Sequence, residues 1–259
     1  MAAAVRWAGS KWRAQLLLYL SAYGAYSATR SIAAGEVPKA TAHARWIVHL
    51  EQALHLSVEG SVQRALDSGA SIWLLNHLYL IAQFAVVPGA LIWLYARSPV
   101  VYRHLRNTVL ATWLIAVPIY ALFPVAPPRL AGIGIVDTIS GQSEANLNSH
   151  VATSFYNPFA AVPSLHAGFA FAVGIAVAVA LRRPWAKVLA LLWGPTVTLA
   201  VVATGNHFLF DVAAGLLVTA AGFLAGRLAA RLLEQRSHPG RPDNRPRTTP
   251  SPCLEAGLP

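Results

Sequence analysis

The chain has 259 residues, of which 56% are hydrophobic and only 12% are charged, and its formal net charge is +10. A soluble domain carries about a quarter charged residues, so this composition argues against a soluble enzyme and favours a protein surrounded by lipid. The basic residues stand at the ends of apolar runs and not on one continuous face, which argues against nucleic acid as a partner. The single cysteine, Cys253, excludes an intrachain disulfide.

Six apolar runs follow one another along the chain, each long enough to cross a hydrocarbon core of about 30 Å as a helix. An open sheet would leave backbone groups unpaired in lipid, so the sequence predicts an all-α, polytopic membrane helical bundle with six transmembrane helices. The first run follows a basic start without a clear cleavage site, and we expect it to remain as a membrane helix. The predicted spans are Ala14–Ala34, Ala70–Ala96 with an interruption at Pro88-Gly89, Asn107–Phe123, Ser164–Leu181, Ala186–Thr204 and Phe208–Leu233.

Three further segments lie outside the predicted spans. Thr41–Leu66 places apolar residues at helical spacing with charges between them, which predicts an interfacial amphipathic helix; its histidines are more typical of an interface than of a metal site. A loop as long as Pro124–Pro163 is uncommon in a compact bundle unless it is functional or disordered. We expect residues 1–234 to form the membrane domain and residues 235–259 to form a disordered basic tail.

The distribution of charge predicts the orientation of the bundle in the cell membrane. If the N-terminus is cytoplasmic, only five of the 20 Lys and Arg residues fall outside the cytoplasmic segments, as the positive-inside rule requires. Those five are Arg30, Lys39, Arg45, Arg64 and Arg129. Both termini are then cytoplasmic, and the Pro124–Pro163 loop and the Thr204–Phe208 turn face the extracytoplasmic side.

At the start of the last span, His207 and Asp211 are four residues apart and share one helix face. A carboxylate within a membrane helix needs a partner, and His207 is the nearest one. A carboxylate bonded to one imidazole nitrogen fixes the tautomer and makes the other nitrogen a better nucleophile or base. Taken alone, the pair is more typical of a structural contact near the interface.

Two other stretches at the same face supply groups suited to an anion. Ser164 is a natural N-cap for the fourth span, which leaves a helix N-terminus able to bind an anion, and His166 lies in the first turn of that helix. Pro127-Pro128 holds Arg129 on a short stiff segment, and a guanidinium matches phosphate oxygens in fork geometry. Combined with the histidine–aspartate pair, these residues predict a phosphoryl-transfer site.

The stretches Pro127–Arg129, Pro163–His166 and Gly205–Asp211 resemble the three motifs of the phosphatidic acid phosphatase type 2 superfamily, which also includes the vanadium haloperoxidases. The Pro-Ser-Leu-His and Gly-Asn-His-x3-Asp forms are most similar to the inositol phosphorylceramide synthase branch. The resemblance covers about Glu51–Gly215, with the acidic residues of the amphipathic segment included.

This resemblance implies that His207 attacks phosphorus to form a phosphohistidine, that Asp211 orients His207, and that His166 protonates the leaving oxygen. It also implies that Arg129, Ser164 and backbone N–H groups hold the phosphate, and we expect Asn206 to donate one hydrogen bond to the phosphate in place of a missing cation. The resemblance implies neither a metal nor another cofactor. The expected partners are a lipid phosphate substrate, the surrounding membrane lipids and, for a transferase, an alcohol acceptor; the sequence indicates no particular oligomeric state.

Three positions depart from the general family pattern, with Val201 in place of an arginine, Leu165 in place of a glycine and Leu122 in place of a lysine. Fewer cations neutralise less charge, which favours a phosphodiester donor over a dianionic phosphomonoester. The sequence therefore favours a lipid phosphotransferase similar to inositol phosphorylceramide synthase. The alternatives are a phosphatase acting on phosphatidate or polyprenyl phosphate, and a non-catalytic lipid-binding or transport protein on the same scaffold.

Overall fold

A computed structural model describes residues 36–142 and 157–237, together with four helical positions nearer the N-terminus, Leu17, Leu20, Ser21 and Gly24. Apart from those four positions, the first predicted span, Ala14–Ala34, lies outside the described residues, and so does the predicted tail beyond Ser237. The described part is helical and holds no β-strand, apart from an isolated parallel bridge between Val125 and Ala160.

Residues 36–142 and 157–237 contain eight α-helices and one 3₁₀ helix, Pro128–Leu130. The α-helices are α1 (Val37–Ala53), α2 (Glu59–Ala65), α3 (Gly69–Arg97), α4 (Pro99–Leu122), α5 (Thr138–Gln142), α6 (Leu165–Ala180), α7 (Pro184–Ala203) and α8 (Leu209–Ser237). Four of them, α3, α4, α7 and α8, are long and apolar enough to cross a membrane, and α6 is apolar but has only 16 residues. The predicted all-α class is thus confirmed, and the described residues hold four candidate membrane spans where the sequence predicted six in the whole chain.

A π-helical segment, Ala82–Val86, interrupts the α-helical pattern of α3 directly before Pro88. Proline has no backbone N–H, and its ring clashes with the carbonyl group four residues earlier in an α-helix. A wider π turn relieves this clash, so the helix continues to Arg97, close to the predicted end of the span at Ala96, and the interruption lies at Ala82–Val86 instead of at Pro88-Gly89.

The amphipathic segment forms two helices, α1 and α2, where the sequence predicted one. His55 lies between them in the left-handed backbone region, with φ of 57°, and a right-handed helix cannot continue through that conformation. Trp46 of this apolar pattern is half exposed. The buried face of α1 consists of Ala40, Ala44, Ile47 and Glu51.

The helices that carry the predicted motifs pack closely through glycine. α6 packs along α7 and also against α8, while α8 packs along α4. A Cβ atom on Gly215 of α8 would collide with the carbonyl group of Ser164, and one on Gly168 of α6 would lie 2.8 Å from the Gly215 oxygen. Glycine at these two positions therefore lets the start of α6 touch the backbone of α8.

A separate apolar cluster lies beneath the loops at the N-terminal ends of α6 and α8. Its buried members come from α1, from the segments that flank the predicted motifs and from the turn before α8. They are Ala40, Ala44, Ile47, Val125, Ala126, Ala131, Ala161, Val162 and Phe208. Burial of this shared cluster holds the three motif-bearing segments against one another.

Candidate functional site

Backbone hydrogen bonds join the three predicted motif stretches at one end of the bundle. The N–H of Arg129 donates to the Gly205 carbonyl at 3.0 Å, and the N–H of Ser164 donates to the Asp211 carbonyl at 2.9 Å. Gly205 has a φ of 69°, a left-handed conformation that favours glycine and turns the chain toward α8. Residues that are far apart in the sequence are therefore held in one place by main-chain contacts, which side-chain substitutions leave in place.

The imidazole of His207 lies in the turn between α7 and α8 and is 5% exposed. Its Nδ1 atom is 3.0 Å from the carbonyl oxygen of Ala161 and 3.3 Å from Oδ2 of Asp211. A carbonyl oxygen can only accept a hydrogen bond, so Nδ1 carries the proton and donates it. The lone pair of the neutral ring is then on Nε2, the nitrogen that a nucleophilic role requires.

Burial also keeps this imidazole neutral. It lowers the pKa of His207 to about 3, and the positive charge of Arg129 acts in the same direction, against the hydrogen bond to Ala161. A neutral ring has an available lone pair at physiological pH, so no proton has to be removed before His207 can attack an electrophile.

Asp211 in the first turn of α8 is fully buried. Its Oδ2 atom accepts the N–H of Phe208 at 2.9 Å as well as the Nδ1–H of His207, while Oδ1 is buried without a hydrogen-bond partner in the described part of the chain. The same carboxyl group thus caps its own helix and orients the imidazole. This is the contact that the four-residue spacing predicted.

His166 lies in the first turn of α6 and faces His207. The centroids of the two rings are 5.8 Å apart and their planes are inclined at 51°, a separation at which both imidazoles can contact one phosphate group. The ring of Tyr79 on α3 stacks on His166 at 4.3 Å with an interplanar angle of 17°. Nε2 of His166 is buried and has no hydrogen-bond partner among the described residues, so it is available to a ligand.

Arg129 lies on the 3₁₀ helix that follows Pro127, and it is 8% exposed. Its Nε donates to Oδ1 of Asn206 at 3.0 Å, and its Nη1 donates to Oδ2 of Asp137 at 3.2 Å. These contacts fix the plane of the guanidinium, and a guanidinium is the side chain whose geometry matches phosphate oxygens.

Two residues predicted to hold phosphate make local contacts in this structure. The hydroxyl of Ser164 accepts the N–H of Ala167 at 3.4 Å, so the predicted N-cap of α6 is confirmed. The amide group of Asn206 donates to Thr204 and accepts from Arg129, so its contacts serve to position the arginine. Both residues lie at the same end of the bundle as the histidine pair, but the hydrogen bonds of their side chains are to other groups of the protein.

Sequence reasoning missed three contributors to this site. Asp137 pairs with Arg129 from within the long loop, and the eight-residue gap between them matches no regular periodicity. Tyr79 lies on an apolar helix whose sequence gives no signal for stacking on His166. The carbonyl of Ala161 acts through the backbone, so no residue type could have identified it.

The position where the general family motif has an arginine is closed to solvent here. Val201 is fully buried, and its carbonyl accepts the N–H groups of Asn206 and His207, both at 3.1 Å. Arg129 is therefore the cation that the described part of the site provides. The same part of the chain has no group of three or more His, Cys, Asp or Glu residues that could hold a metal ion.

A family model described as the PAP2 superfamily matches residues 45–225. Comparisons with curated proteins and with solved structures find no significant match. The family match contains all three motif stretches, α1 from its ninth residue, and most of α8. Because it spans well over half of the 259 residues, the chain belongs to the PAP2 superfamily.

Proposed function

We propose that this protein is a membrane enzyme that transfers or hydrolyses a lipid phosphate through a phosphohistidine formed on His207. Membership of the PAP2 superfamily indicates a lipid phosphatase or phosphotransferase type of function, and the apolar helices indicate a membrane protein. The observation that carries the proposal is the 5.8 Å separation of the His166 and His207 rings, beside the buried guanidinium of Arg129.

In the first step, Nε2 of His207 attacks phosphorus and the bond from phosphorus to the leaving oxygen breaks. The imidazole acquires a positive charge while Nδ1 keeps its proton, and Asp211 stabilises that charge. His166 gives a proton to the leaving oxygen as general acid, and Arg129 neutralises charge on the phosphoryl oxygens.

In the second step, water or an alcohol attacks the phosphorus of the phosphohistidine. Its proton passes to His166, the N–P bond breaks, and His207 returns to its neutral form. A phosphatase and a transferase differ only in this acceptor. Because Arg129 is the cation of the site's described part and is already paired with Asp137, we favour a phosphodiester donor, as in a lipid phosphotransferase similar to inositol phosphorylceramide synthase.

We further propose that six helices cross the cell membrane, with both termini in the cytoplasm and the site at the extracytoplasmic face. The charge distribution of the sequence supports this topology. In this arrangement residues 1–234 form the catalytic membrane domain, and residues 235–259 form a tail that the reaction does not require.

A direct experiment is turnover of labelled lipids by the purified protein in detergent. The donors are phosphatidate, phosphatidylinositol and a polyprenyl phosphate, each with and without an alcohol acceptor. We expect a new phosphodiester when an alcohol is present; free phosphate from a monoester would identify a phosphatase. An alkali-stable, acid-labile label on the protein would identify the phosphohistidine.

The variant His207→Ala should abolish both turnover and labelling while the protein remains folded, because no other group supplies the attacking nitrogen. His49→Ala is the matched control, since His49 lies on the exposed face of α1 and should leave turnover unchanged. Full activity of His207→Ala would refute the mechanism. Saturable lipid binding without turnover by the unaltered protein would favour a non-catalytic lipid-binding or transport protein.

A further inference from the structure

Two glutamates from the amphipathic segment contact the first turn of α8. Oε1 of Glu59 accepts the N–H of Leu209 at 3.1 Å, and Oε1 of Glu51 accepts the N–H of Phe210 at 2.7 Å. Both glutamates are only 3% exposed, although they belong to helices that the sequence predicted to lie at an interface.

The preceding amide, that of Phe208, donates to Asp211 at 2.9 Å. Three consecutive N–H groups directly after His207 therefore each donate to a different carboxyl group. The first N–H groups of a helix have no partner within the helix, and the helix dipole favours negative charge at that end. Glu51, Glu59 and Asp211 thus cap α8 together, and Asp211 also orients His207.

Three carboxyl groups around one helix end repel one another if all are ionised. The described residues contain no salt bridge to Glu51 or Glu59. Glu59 and Glu51 accept from adjacent amides of one helix turn, which brings their carboxyl groups close together, and two carboxyl groups can share a hydrogen bond only when one carries a proton. Oε2 of Glu51 is buried and receives no hydrogen bond in the described part of the chain, as expected of an oxygen that itself carries a proton.

The surroundings of Glu51 favour its protonated form. Burial raises the pKa of Glu51 to about 8, against the hydrogen bond from Phe210, and the negative charges of Glu59 and Asp211 raise it further. Among the described residues, the titratable groups whose charges act on Glu51 are Glu59 from α2 and Asp211 from α8, and both are acidic.

We propose that Glu51 and Glu59 form a carboxylic acid–carboxylate pair that shares one proton and positions the first turn of α8, and with it the His207–Asp211 pair. Both glutamates are positioning residues, because their contacts are to the α8 backbone and not to the histidines. Loss of the shared proton places a third negative charge at the helix end, next to those of Glu59 and Asp211. The resulting repulsion moves the helix end and the imidazole that precedes it. The consequence for turnover rests on the function proposed above.

The sign of the pH dependence follows from the two pKa values of Glu51, 4.5 as the ordinary value and about 8 in the folded protein. The folded protein holds this proton more tightly than the unfolded chain does. Its contribution to stability is fully present below about pH 4.5 and is lost as the pH rises through about 8. The thermal midpoint of the protein should therefore fall as the pH rises toward 8, and turnover should fall as Glu51 ionises near pH 8.

The test compares Glu51→Gln and Glu51→Leu with the unaltered protein in detergent. Glutamine can accept from Phe210 and donate to Glu59 without an ionisable proton, so Glu51→Gln should keep turnover at pH 7 and lose the decline near pH 8. Glu51→Leu should lose kcat by about 100-fold with KM little changed, the loss that a misplacement of about 1 Å produces. Glu36→Gln is the control, since Glu36 is about half exposed and pairs with Lys39.

Thermal midpoints measured from pH 5 to 9.5 test the shared proton without any turnover. The thermal midpoint should decline with rising pH in the unaltered protein and in Glu36→Gln, and this decline should be smaller in Glu51→Gln. An unchanged decline in Glu51→Gln, or a loss of kcat as large as in Glu51→Leu, would overturn the proposal of a shared proton. If no lipid phosphate is turned over at all, the proposed function fails, while the midpoints still decide whether the pair shares a proton.

Discussion

The Oδ2 atom of Asp211 accepts hydrogen bonds from two donors, the imidazole Nδ1–H of His207 and the backbone N–H of Phe208. The same oxygen atom thus caps the helix and orients the imidazole, so the position of the helix end and the direction of the ring are coupled. The spacing of four residues was enough to predict the His207 contact. The carbonyl of Ala161 that completes the orientation could not be predicted, since it depends on where a segment 46 residues away in the chain is folded.

The variant Asp211→Asn should lower kcat by about 10³- to 10⁴-fold, because an amide can stabilise neither the required tautomer nor the imidazolium formed during attack. Turnover of the lipid that proves to be the substrate measures this loss, and the thermal midpoint shows that the fold survives. Asp67→Asn is the control, since Asp67 is exposed in the turn between α2 and α3. A kcat for Asp211→Asn within threefold of the unaltered protein would remove Asp211 from the mechanism.

Helix α6 shows how far apolar pattern and capping chemistry determine an element. The sequence predicted a span at Ser164–Leu181, and the helix runs from Leu165 to Ala180 with Ser164 as its N-cap. Helix α4 instead begins at Pro99, eight residues before the predicted start at Asn107, because its first two turns are too polar for an apolar-run criterion. The break at His55 was also missed, because a left-handed residue other than glycine has no sequence signature.

The variant Gly215→Ala should destabilise the protein by about 1–3 kcal/mol, because the new methyl group forces the α8 backbone away from Ser164. Gly89→Ala is the matched control in α3, where a Cβ atom meets nothing within 4 Å and helix propensity favours alanine by up to about 1 kcal/mol. Thermal unfolding in detergent compares the two. Equal midpoints would show that the α6–α8 contact tolerates a methyl group.

At the scale of the whole molecule, the sequence predicted helical class and membrane location, because composition and run length reflect the solvent around the bundle. It could not predict that α6 packs along α7 while α8 packs along α4, since these pairings depend on which glycines face which backbone. The sequence could predict that the three motifs lie at the same end of the bundle only because each motif stands at the end of an apolar run.

The proposed topology predicts a labelling pattern that uses the single cysteine of the chain. After Cys253→Ser, a new cysteine at the exposed position Val136 should react with a membrane-impermeant maleimide in intact cells. A cysteine at Arg183, exposed between α6 and α7, should react only after the cells are opened. The reverse pattern would place the site in the cytoplasm and overturn the orientation, although the site itself would be unaffected.

The length of α6 has a consequence for where the chemistry takes place. Sixteen residues rise about 24 Å, whereas the hydrocarbon core is about 30 Å thick. Its far end is followed, after Leu181, by Arg182 and Arg183, which the proposed topology places at the cytoplasmic boundary. If Ala180 lies at that boundary, the other end of α6, with Ser164 and His166, is about 6 Å below the headgroup layer, and any tilt of the helix increases that depth. In the proposed topology, a substrate then either moves its phosphate out of the aqueous layer to reach the site or binds where the bilayer thins around the protein.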